Sequence, residues 1–581
     1  MKWQRWHVVA ASVALALASV VALGKCSGGP HGVDAGAVAT EPLAQAPDDL
    51  LADIYVASPN ASWTKLQRGV GGAVGILPTT LPGVLVAVAD LDISLATELD
   101  GTAPMYGVVA GDPADPTIAF AMKLVDARRA RGLLADGDTA RFSAKDVSGM
   151  TVLVPNRSTS ADRKLQLAIT QNGYLLVARA EADFARLGPY VTRTLPARPL
   201  PVESAAVIEI GRKALETMLQ PKIDALWKDG KSFLLTQDER MRAERGRAPD
   251  FGDPAAIVAA LDSMLARRVA IFGDLEKLRV ALDVTDDATV VTATLTPRAG
   301  DGPARKWVDG MKIGDASPIL ALPAVSALAL SMRDSEAERA EQSKELEKTI
   351  ATSLGPRLKD PGKLHDVIEA MTSARDEAAA FALALDEPTG LLVRAPVRDA
   401  AAADKAIRGL FDLTKAEPFK ELLRVRDVSS TSEELPGRGK ISSVTVVREA
   451  KDTKRGTIRR DAGAPTTPAA KTSSASGAAW ITEQGVLSLG AGAEPVVTLK
   501  IGAQPDRKLA DEPALKRFTG AIASDASTIV VAQPLRLDPK RANLPTAPLG
   551  IAIGKKSGDG FVRIDIADGL LREAARSQMG F

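Results

Sequence analysis

The stretch KLQLAITQNGYLLVARAEADFARL, residues 164–187, contains the pattern from which the fold is predicted. Apolar and polar residues alternate on both sides of Asn172-Gly173, a dipeptide that favours a two-residue turn between antiparallel strands. The stretch therefore predicts a β-hairpin.

A similar order of strands and helices recurs further along the chain. TIAFAMKLVDARRARGLLADG, residues 117–137, and TGLLVRAPVRDAAAADKAIRGLF, residues 389–411, each predict a strand, an aspartate and then a charged helix. Gln484-Gly485 lies between two apolar runs, as Asn172-Gly173 does. These patterns indicate two related halves, although strand–helix units also recur in α+β chains without a duplication.

Hairpins outnumber long strand–helix–strand crossovers in this chain, which favours antiparallel or mixed sheets. The predicted fold class is α+β: two pseudo-repeated halves of antiparallel or mixed sheets with helices packed on one face, preceded by an N-terminal signal or anchor helix. The predicted segments are a signal peptide or membrane anchor (1–25), a flexible tether (26–49), a first half (50–312), a second half (313–581) and, within the latter, a disordered loop insertion (451–477).

The first residues have the composition of an export signal. MKWQRWH is basic and aromatic, and the run from Val8 to Gly24 has no charge. At about 1.5 Å per residue this run is slightly shorter than a hydrocarbon core of roughly 30 Å, so a cleaved signal and a retained anchor are both open. Lys2 and Arg5 precede the apolar run, which predicts a cytoplasmic N-terminus. The predicted localisation is extracytoplasmic, anchored to the membrane, in the periplasm or at the cell surface.

Cys26, the only cysteine, leaves three fates open for this segment. Leu23-Gly24-Lys25-Cys26 resembles a bacterial lipobox, which would make Cys26 a lipidation site, but Lys25 stands where the lipobox has a small residue. Ala22-Leu23-Gly24 provides a small-x-small site for ordinary signal peptidase. The third fate is retention of the uncut segment as an anchor.

The composition excludes several functions. Lys and Arg number 73 against 72 for Asp and Glu, so no overall charge attracts nucleic acid. A single cysteine cannot form an internal disulfide or a thiolate metal cluster. Of the three histidines, His7 and His31 lie in the predicted signal and tether, which leaves His365 alone in the folded part. The sequence therefore predicts no metal site and no cofactor, and it disfavours a Ser-His-Asp triad.

Ser62-Trp63-Thr64-Lys65 has the S-x-x-K spacing of penicillin-binding proteins and β-lactamases, in which the lysine assists deprotonation of the serine. Lys556-Ser557-Gly558 resembles the K-T/S-G motif of the same family. The S-D-N motif of that family has no counterpart between them, and Lys556-Ser557-Gly558 falls in a predicted hairpin turn. Ser62 and Lys65 are therefore catalytic candidates with an incomplete motif, and Trp63 is predicted to anchor its helix in the core.

SEAERAEQSKELEKTIATSL, residues 335–354, predicts an amphipathic helix with a polar outer face. Ser335 and Glu338 have the spacing of a capping box at the start of this helix. The helix is shorter than about three heptads, so it does not by itself predict a coiled coil.

The organisation of the chain resembles that of uncharacterised bacterial cell-envelope proteins that have an N-terminal anchor and repeated strand–helix units. The residues on which the resemblance depends are YVASPNASW, from Tyr55 to Trp63, and NGYLLV, from Asn172 to Val177. The resemblance spans most of the chain and implies no known activity.

The leading functional hypothesis is a non-catalytic binding or interaction module of the cell envelope. Its predicted partners are the membrane, through the N-terminal segment, and other envelope proteins, whereas nucleic acid is not predicted. Two alternatives are open: a serine acyl hydrolase that uses Ser62 and Lys65, and a carrier of an apolar ligand held between the two halves.

Overall fold

The computed structural model describes residues 42–578, apart from fourteen gaps. The gaps are 72–74, 76, 89–90, 113–114, 137–139, 148, 157–165, 200–203, 246–253, 355–357, 385–389, 436–438, 450–473 and 538–546. The predicted signal or anchor, residues 26–41 of the predicted tether, Cys26, and residues 451–473 of the predicted loop insertion lie outside the described residues.

The described residues form twenty strands. They are β1 Leu50–Val56, β2 Met105–Ala110, β3 Thr117–Lys123, β4 Phe142–Val147, β5 Met150–Pro155, β6 Gln166–Thr170, β7 Tyr174–Ala178, β8 Ala206–Gly211, β9 Leu275–Val284, β10 Ala288–Pro297, β11 Ser326–Arg333, β12 Ala378–Ala384, β13 Gly390–Pro396, β14 Val425–Leu435, β15 Gly439–Arg448, β16 Ser474–Glu483, β17 Val486–Gly492, β18 Ala526–Ala532, β19 Leu549–Lys556 and β20 Asp559–Ala567.

Helices connect and cover these strands. They are α1 Pro59–Val70, α2 Leu81–Val88, α3 Ala127–Ala135, α4 Glu181–Pro189, α5 Leu195–Ala197, α6 Arg212–Ala214, α7 Gln220–Arg245, α8 Pro254–Gly273, α9 Pro303–Gly310, α10 Ser317–Leu320, α11 Glu336–Leu354, α12 Pro361–Ala374, α13 Ala400–Leu413, α14 Phe419–Leu422, α15 Pro495–Ala503, α16 Pro513–Ile522 and α17 Asp568–Gln578. Shorter 3₁₀ turns span Ile93–Thr97, Leu509–Asp511 and Pro534–Leu537, and π-helical turns span Tyr190–Thr194 and Leu215–Leu219. Within the described ranges, no helix combines the length and the apolar character needed to cross a membrane.

The chain divides into two compact units, and neither is continuous in sequence. The first contains the described residues up to Ile223, together with Ile271–Arg305 and those from Gly558 onward. The second contains Asp224–Ala270 and Lys306–Ser557. The prediction of two contiguous, pseudo-repeated halves, 50–312 and 313–581, therefore does not describe the folded chain, because long-range pairing assigns its last strand and helix to the first unit.

Strand pairing within each unit is antiparallel, and the predicted α+β class is confirmed. The strand order in the first unit is β4-β5-β6-β7-β3-β2-β1-β8-β9-β10-β20. The strand order in the second unit is β14-β15-β16-β17-β13-β12-β11-β18-β19. The two units thus share an order of connections over nine strands, although the units themselves are discontinuous.

In the first unit, helices cover both faces of the sheet. Trp63 of α1 and Leu81 of α2 belong to one apolar core with Val56 of β1. Phe184 of α4 belongs to a second core with Tyr55, the adjacent residue of β1. Since successive strand residues point to opposite faces, the two cores lie on opposite sides of the sheet. The prediction of helices on one face is therefore wrong for this unit, and the predicted core position of Trp63, which is 3% exposed, is confirmed.

The sheet of the second unit is also buried on both faces. Trp480 of β16 packs in a core with Ile407 of α13, whereas its neighbour Ile481 packs in another core with Leu499 of α15. Helix α15 lies very close to the sheet at Gly490 of β17, where a Cβ atom would be only 2.4 Å from the Leu499 backbone nitrogen. Glycine is therefore required by close approach at this position.

The hairpin at Asn172-Gly173 is present, but its loop has three residues rather than the predicted two. Strand β6 ends at Thr170 and β7 begins at Tyr174, and Gly173 takes the left-handed conformation with φ 75°. Three-residue loops commonly end on such a glycine. The Gln484-Gly485 turn has the two residues predicted, both with positive φ (49° and 75°).

Elsewhere, the sequence correctly predicts the start of α11 but places the end of the loop insertion too late. The capping box of α11 is confirmed, because Ser335 N donates to Glu338 Oε2 at 2.8 Å and Glu338 N donates to Ser335 Oγ at 3.2 Å. The predicted loop insertion 451–477 ends too late, since β16 begins at Ser474 and pairs with β15 from that residue onward.

Candidate functional site

The candidate nucleophile and base of the S-x-x-K motif both lie on α1. Their spacing places Ser62 and Lys65 about one helical turn apart. The Ser62 hydroxyl donates to the Ser58 carbonyl at 3.1 Å, as serines inside helices often do. The Trp63 indole between them donates to the Pro78 carbonyl at 2.8 Å and fixes the buried side of the helix. This arrangement has the geometry of an ordinary helix surface.

Lys556-Ser557-Gly558 forms the end of β19 and the turn after it. Ser557 and Gly558 both have positive φ, 52° and 86°. Two successive residues in the left-handed region are typical of a type I′ hairpin turn. The turn accounts for the serine and the glycine at these positions, in agreement with the sequence-based interpretation.

All four tyrosines of the chain lie together on one face of the strands of the first unit. Tyr106 makes edge-to-face contacts with Tyr55 and Tyr174, in each case with 6.4 Å between ring centroids. The Tyr190 hydroxyl, in a π-helical turn, donates to the Asp53 carboxylate at 3.0 Å. The sequence analysis did not find this cluster, because its members come from four separate elements.

The tyrosine cluster is a closed core. Asp53 and Tyr190 are 6% and 1% exposed, whereas Tyr174 and Arg198, whose Nη1 lies 2.8 Å from Asp53 Oδ2, are partly exposed. Burial raises the pKa of Asp53 above its ordinary value, although the Tyr190 hydrogen bond and the Arg198 charge oppose the shift. Burial also raises the pKa of Tyr106 to about 12. The cluster therefore holds the π-helical turn to the sheet and offers a ligand little access.

An open groove lies in the second unit, between α12 and α13. Helix α13 starts at Asp399, whose side chain accepts the Ala401 and Ala402 backbone N–H groups at 2.8 and 3.0 Å. Asp360 accepts the Lys363 N–H at 3.3 Å and caps α12. Both helices thus begin at aspartate caps, which the sequence shows as Asp-Pro and Asp-Ala-Ala.

Small residues bring the two helices together along the groove. Gly409 of α13 faces Val367 of α12, and a Cβ atom on this glycine would lie 2.8 Å from Val367 Cγ2. Leu364 and Leu413 belong to the apolar core beneath. The groove has a volume of about 530 Å³. Its lining residues are Lys363, Asp366, Val367, Ala370, Asp404, Lys405, Ala406, Arg408, Gly409, Asp412, Leu413 and Ala416.

A polar network attaches one wall of the groove to the sheet. Asp404 accepts hydrogen bonds from Arg408 Nε at 2.7 Å and from the Trp480 indole at 2.9 Å. Arg408 also donates to Ser442 Oγ at 2.7 Å, and its guanidinium carbon lies 5.4 Å from the centre of the Trp480 ring. Burial acts against ionisation of Asp404, but the hydrogen bonds from Arg408 and Trp480 outweigh it and lower the pKa of Asp404. The Asp404 carboxylate is therefore ionised at neutral pH, and its hydrogen bonds fix this part of α13 against the sheet.

His365, the only histidine in the predicted folded part, lies beside the groove on α12. Its Nδ1 is 3.1 Å from Glu347 Oε2 of α11, and this hydrogen bond raises the pKa of His365. The imidazole links two helices on the surface and does not line the groove.

Two exposed leucines also lie near each other on the strands of the second unit. Leu328 of β11 and Leu391 of β13 are each 40% exposed, and both pair with Leu383 of β12.

In the part of the chain that the structure describes, no group of three acidic, cysteine or histidine side chains is placed to hold a metal ion. Comparisons with protein-family models, with curated proteins and with solved structures give no match to this chain.

Proposed function

We propose that this chain is a non-catalytic binding protein, held outside the membrane by its N-terminal segment, and that the groove between α12 and α13 binds an extended segment of an envelope protein. The observation that supports the proposal is the open groove itself, with an apolar floor and charged residues along both walls.

The size of the groove suits a short stretch of peptide. Its volume of about 530 Å³ lies within the range of ligand sites, roughly 300–1,000 Å³. From Asp404 to Leu413 the wall rises about 13 Å, at about 1.5 Å per residue. An extended peptide covers that distance with about four residues, at about 3.3 Å each.

The chemistry of the lining favours recognition over catalysis. Val367, Ala406 and Leu413 offer an apolar floor, whereas lysine, arginine and aspartate side chains line the walls. None of the twelve described lining residues is a serine, threonine, cysteine or histidine. The hydroxyl and thiol nucleophiles of serine, threonine and cysteine hydrolases are therefore missing from this set of described residues.

Retention outside the membrane is tested at the mature N-terminus. Mass spectrometry of the protein purified from its native membrane is expected to find either a diacylglyceryl group on Cys26 or an intact N-terminal segment. The physical reason is that both outcomes leave an apolar anchor in the bilayer. A soluble fraction that contains all of the protein, with its N-terminus at Lys25, would contradict anchoring.

Binding in the groove is tested with Ala370→Trp. An indole at this half-buried lining position would fill the groove. The affinity for a fluorescein-labelled pool of random hexapeptides is therefore expected to fall at least about tenfold, which is the effect of losing a central contact. Fluorescence polarisation measures the change. Ser373→Trp is the matched control, because Ser373 lies on the same helix, is exposed and does not line the groove. Equal peptide binding by the wild type and both variants would overturn the proposed site.

A further inference from the structure

We infer that the groove selects segments with one acidic and one basic side chain two residues apart and an apolar residue between them. The inference rests on the proposed function, and it names the chemistry of the partner. It is argued from two charges on the walls that form no hydrogen bond or ion pair with a described residue.

Most charges of the groove are already paired within the chain. Lys363 lies 3.1 Å from Asp360, and Arg408 lies 2.7 Å from Asp404. Asp412 lies 2.7 Å from Lys415. A ligand that used these groups would exchange one exposed ion pair for another, so its net gain would be smaller than at a charge that has no ion pair.

Two charges of the lining differ from the others. Asp366 on α12 and Lys405 on α13 form no hydrogen bond or ion pair with any residue that the structure describes, although the charge of Asp366 contributes to the raised pKa of the adjacent His365. Both side chains are exposed at the rim, whereas Val367 and Ala406 beside them are buried. The groove thus presents one carboxylate on one wall and one ammonium group on the other, above an apolar floor, and neither is in an ion pair with a described residue.

The spacing of these two charges matches an extended chain. Gly409 faces Val367, the neighbour of Asp366, and Lys405 precedes Gly409 by four residues. Four helical residues correspond to about 6 Å along the groove, and the single residue from Val367 to Asp366 changes this offset by about 1.5 Å. In an extended segment, residues i and i+2 point to the same side at about 6.6 Å, and residue i+1 points to the other side. Charged side chains at i and i+2 can therefore reach the rim while the apolar residue enters the floor.

The test uses four fluorescein-labelled pentapeptides, Ala-X-Val-Z-Ala, with Glu/Lys, Glu/Glu, Lys/Lys or Gln/Gln at X and Z. Fluorescence polarisation at low salt, where screening is small, measures affinity. The wild type is expected to bind the Glu/Lys peptide about fivefold more tightly than the Gln/Gln peptide, as two exposed ion pairs allow. Lys405→Glu is expected to prefer Lys/Lys, and Asp366→Lys to prefer Glu/Glu.

The outcomes separate this inference from the proposed function. If the wild type and both charge variants rank the four peptides identically while Ala370→Trp abolishes binding, the charge selection is wrong and the groove remains the site. If no peptide binds any of these proteins, the proposed function fails and the selection fails with it. Preferences that change with the wall charge, as stated above, support the inference.

Discussion

Replacing Asp334 with alanine is expected to lower the free energy of unfolding by about 3–5 kcal/mol, because it breaks a buried ion pair by removing one partner. The Asp334 carboxylate, 4% exposed, lies 3.2 Å from Arg339 Nη1 and also binds the Arg375 guanidinium. Arg339 is itself only 5% exposed. Without the carboxylate, two cations share a site from which water is largely excluded. Urea unfolding of the purified chain measures the loss.

An exposed ion pair in the same unit provides the control for Asp334. Glu377 lies 3.3 Å from Lys312, and both side chains are about half exposed, at 49% and 47%. Glu377→Ala is therefore expected to cost less than about 1 kcal/mol. Equal losses in the two variants would show that burial of the Asp334 carboxylate has no energetic consequence.

Gly490→Ala is expected to destabilise the second unit by about 1–3 kcal/mol, the range for overpacking a well-packed site. The added methyl group would meet two backbone atoms of α15: the Leu499 nitrogen at 2.4 Å and the Pro495 carbonyl oxygen at 2.7 Å. Backbone atoms, unlike side-chain atoms, cannot avoid the added methyl group by a change of rotamer. Helix α15 must therefore shift away from β17. The midpoint of urea unfolding is expected to decrease.

The same substitution at Gly520 is expected to have the opposite sign. Gly520 lies inside α16, and a Cβ atom there would have open space around it. Alanine is a better helix former than glycine, so Gly520→Ala is expected to stabilise by about 0.5–1 kcal/mol. If both glycine variants changed stability in the same direction, close packing at Gly490 would not be the cause.

Local features of this fold could be predicted from the sequence. The Asn172-Gly173 hairpin and the capping box of Ser335 and Glu338 each depend on residues within a few positions of one another. The third loop residue at the hairpin escaped prediction, because Gln171 is compatible with either a strand or a turn. Trp63 was predicted as a core anchor from its place at the start of a helix, and it is buried.

Features built from distant residues could not be predicted in this way. Tyr190 and Asp53 meet through pairing of β1 and packing of a π-helical turn, and no sequence spacing indicates that contact. The groove was also missed, since its walls contain alternating charges that are typical of a solvated helix face. A useful signal was present in Gly409, because a glycine within a helix costs stability unless close packing requires it.

The strand that starts within a predicted loop has a simple explanation. Residues 474–477, Ser-Ala-Ser-Gly, have no apolar pattern, yet they pair with β15 from Thr445 to Arg448. Backbone hydrogen bonds to an adjacent strand depend little on side-chain type. The composition of the sequence therefore indicated where apolar packing ends, but it did not indicate where the strand begins.

The position of β20 in the first unit has a consequence for the order of events during synthesis. Strand β10 pairs with β9 on one side and with β20 on the other, so that Val291 pairs with Ile564. Every residue of the second unit's larger segment, Lys306–Ser557, leaves the ribosome between these two strands. Until then β10 has an unpaired edge, which can associate with other chains. The first unit is thus completed only after the larger segment of the second unit has been synthesised, because β10 must pair with a strand that is more than 250 residues further along the chain.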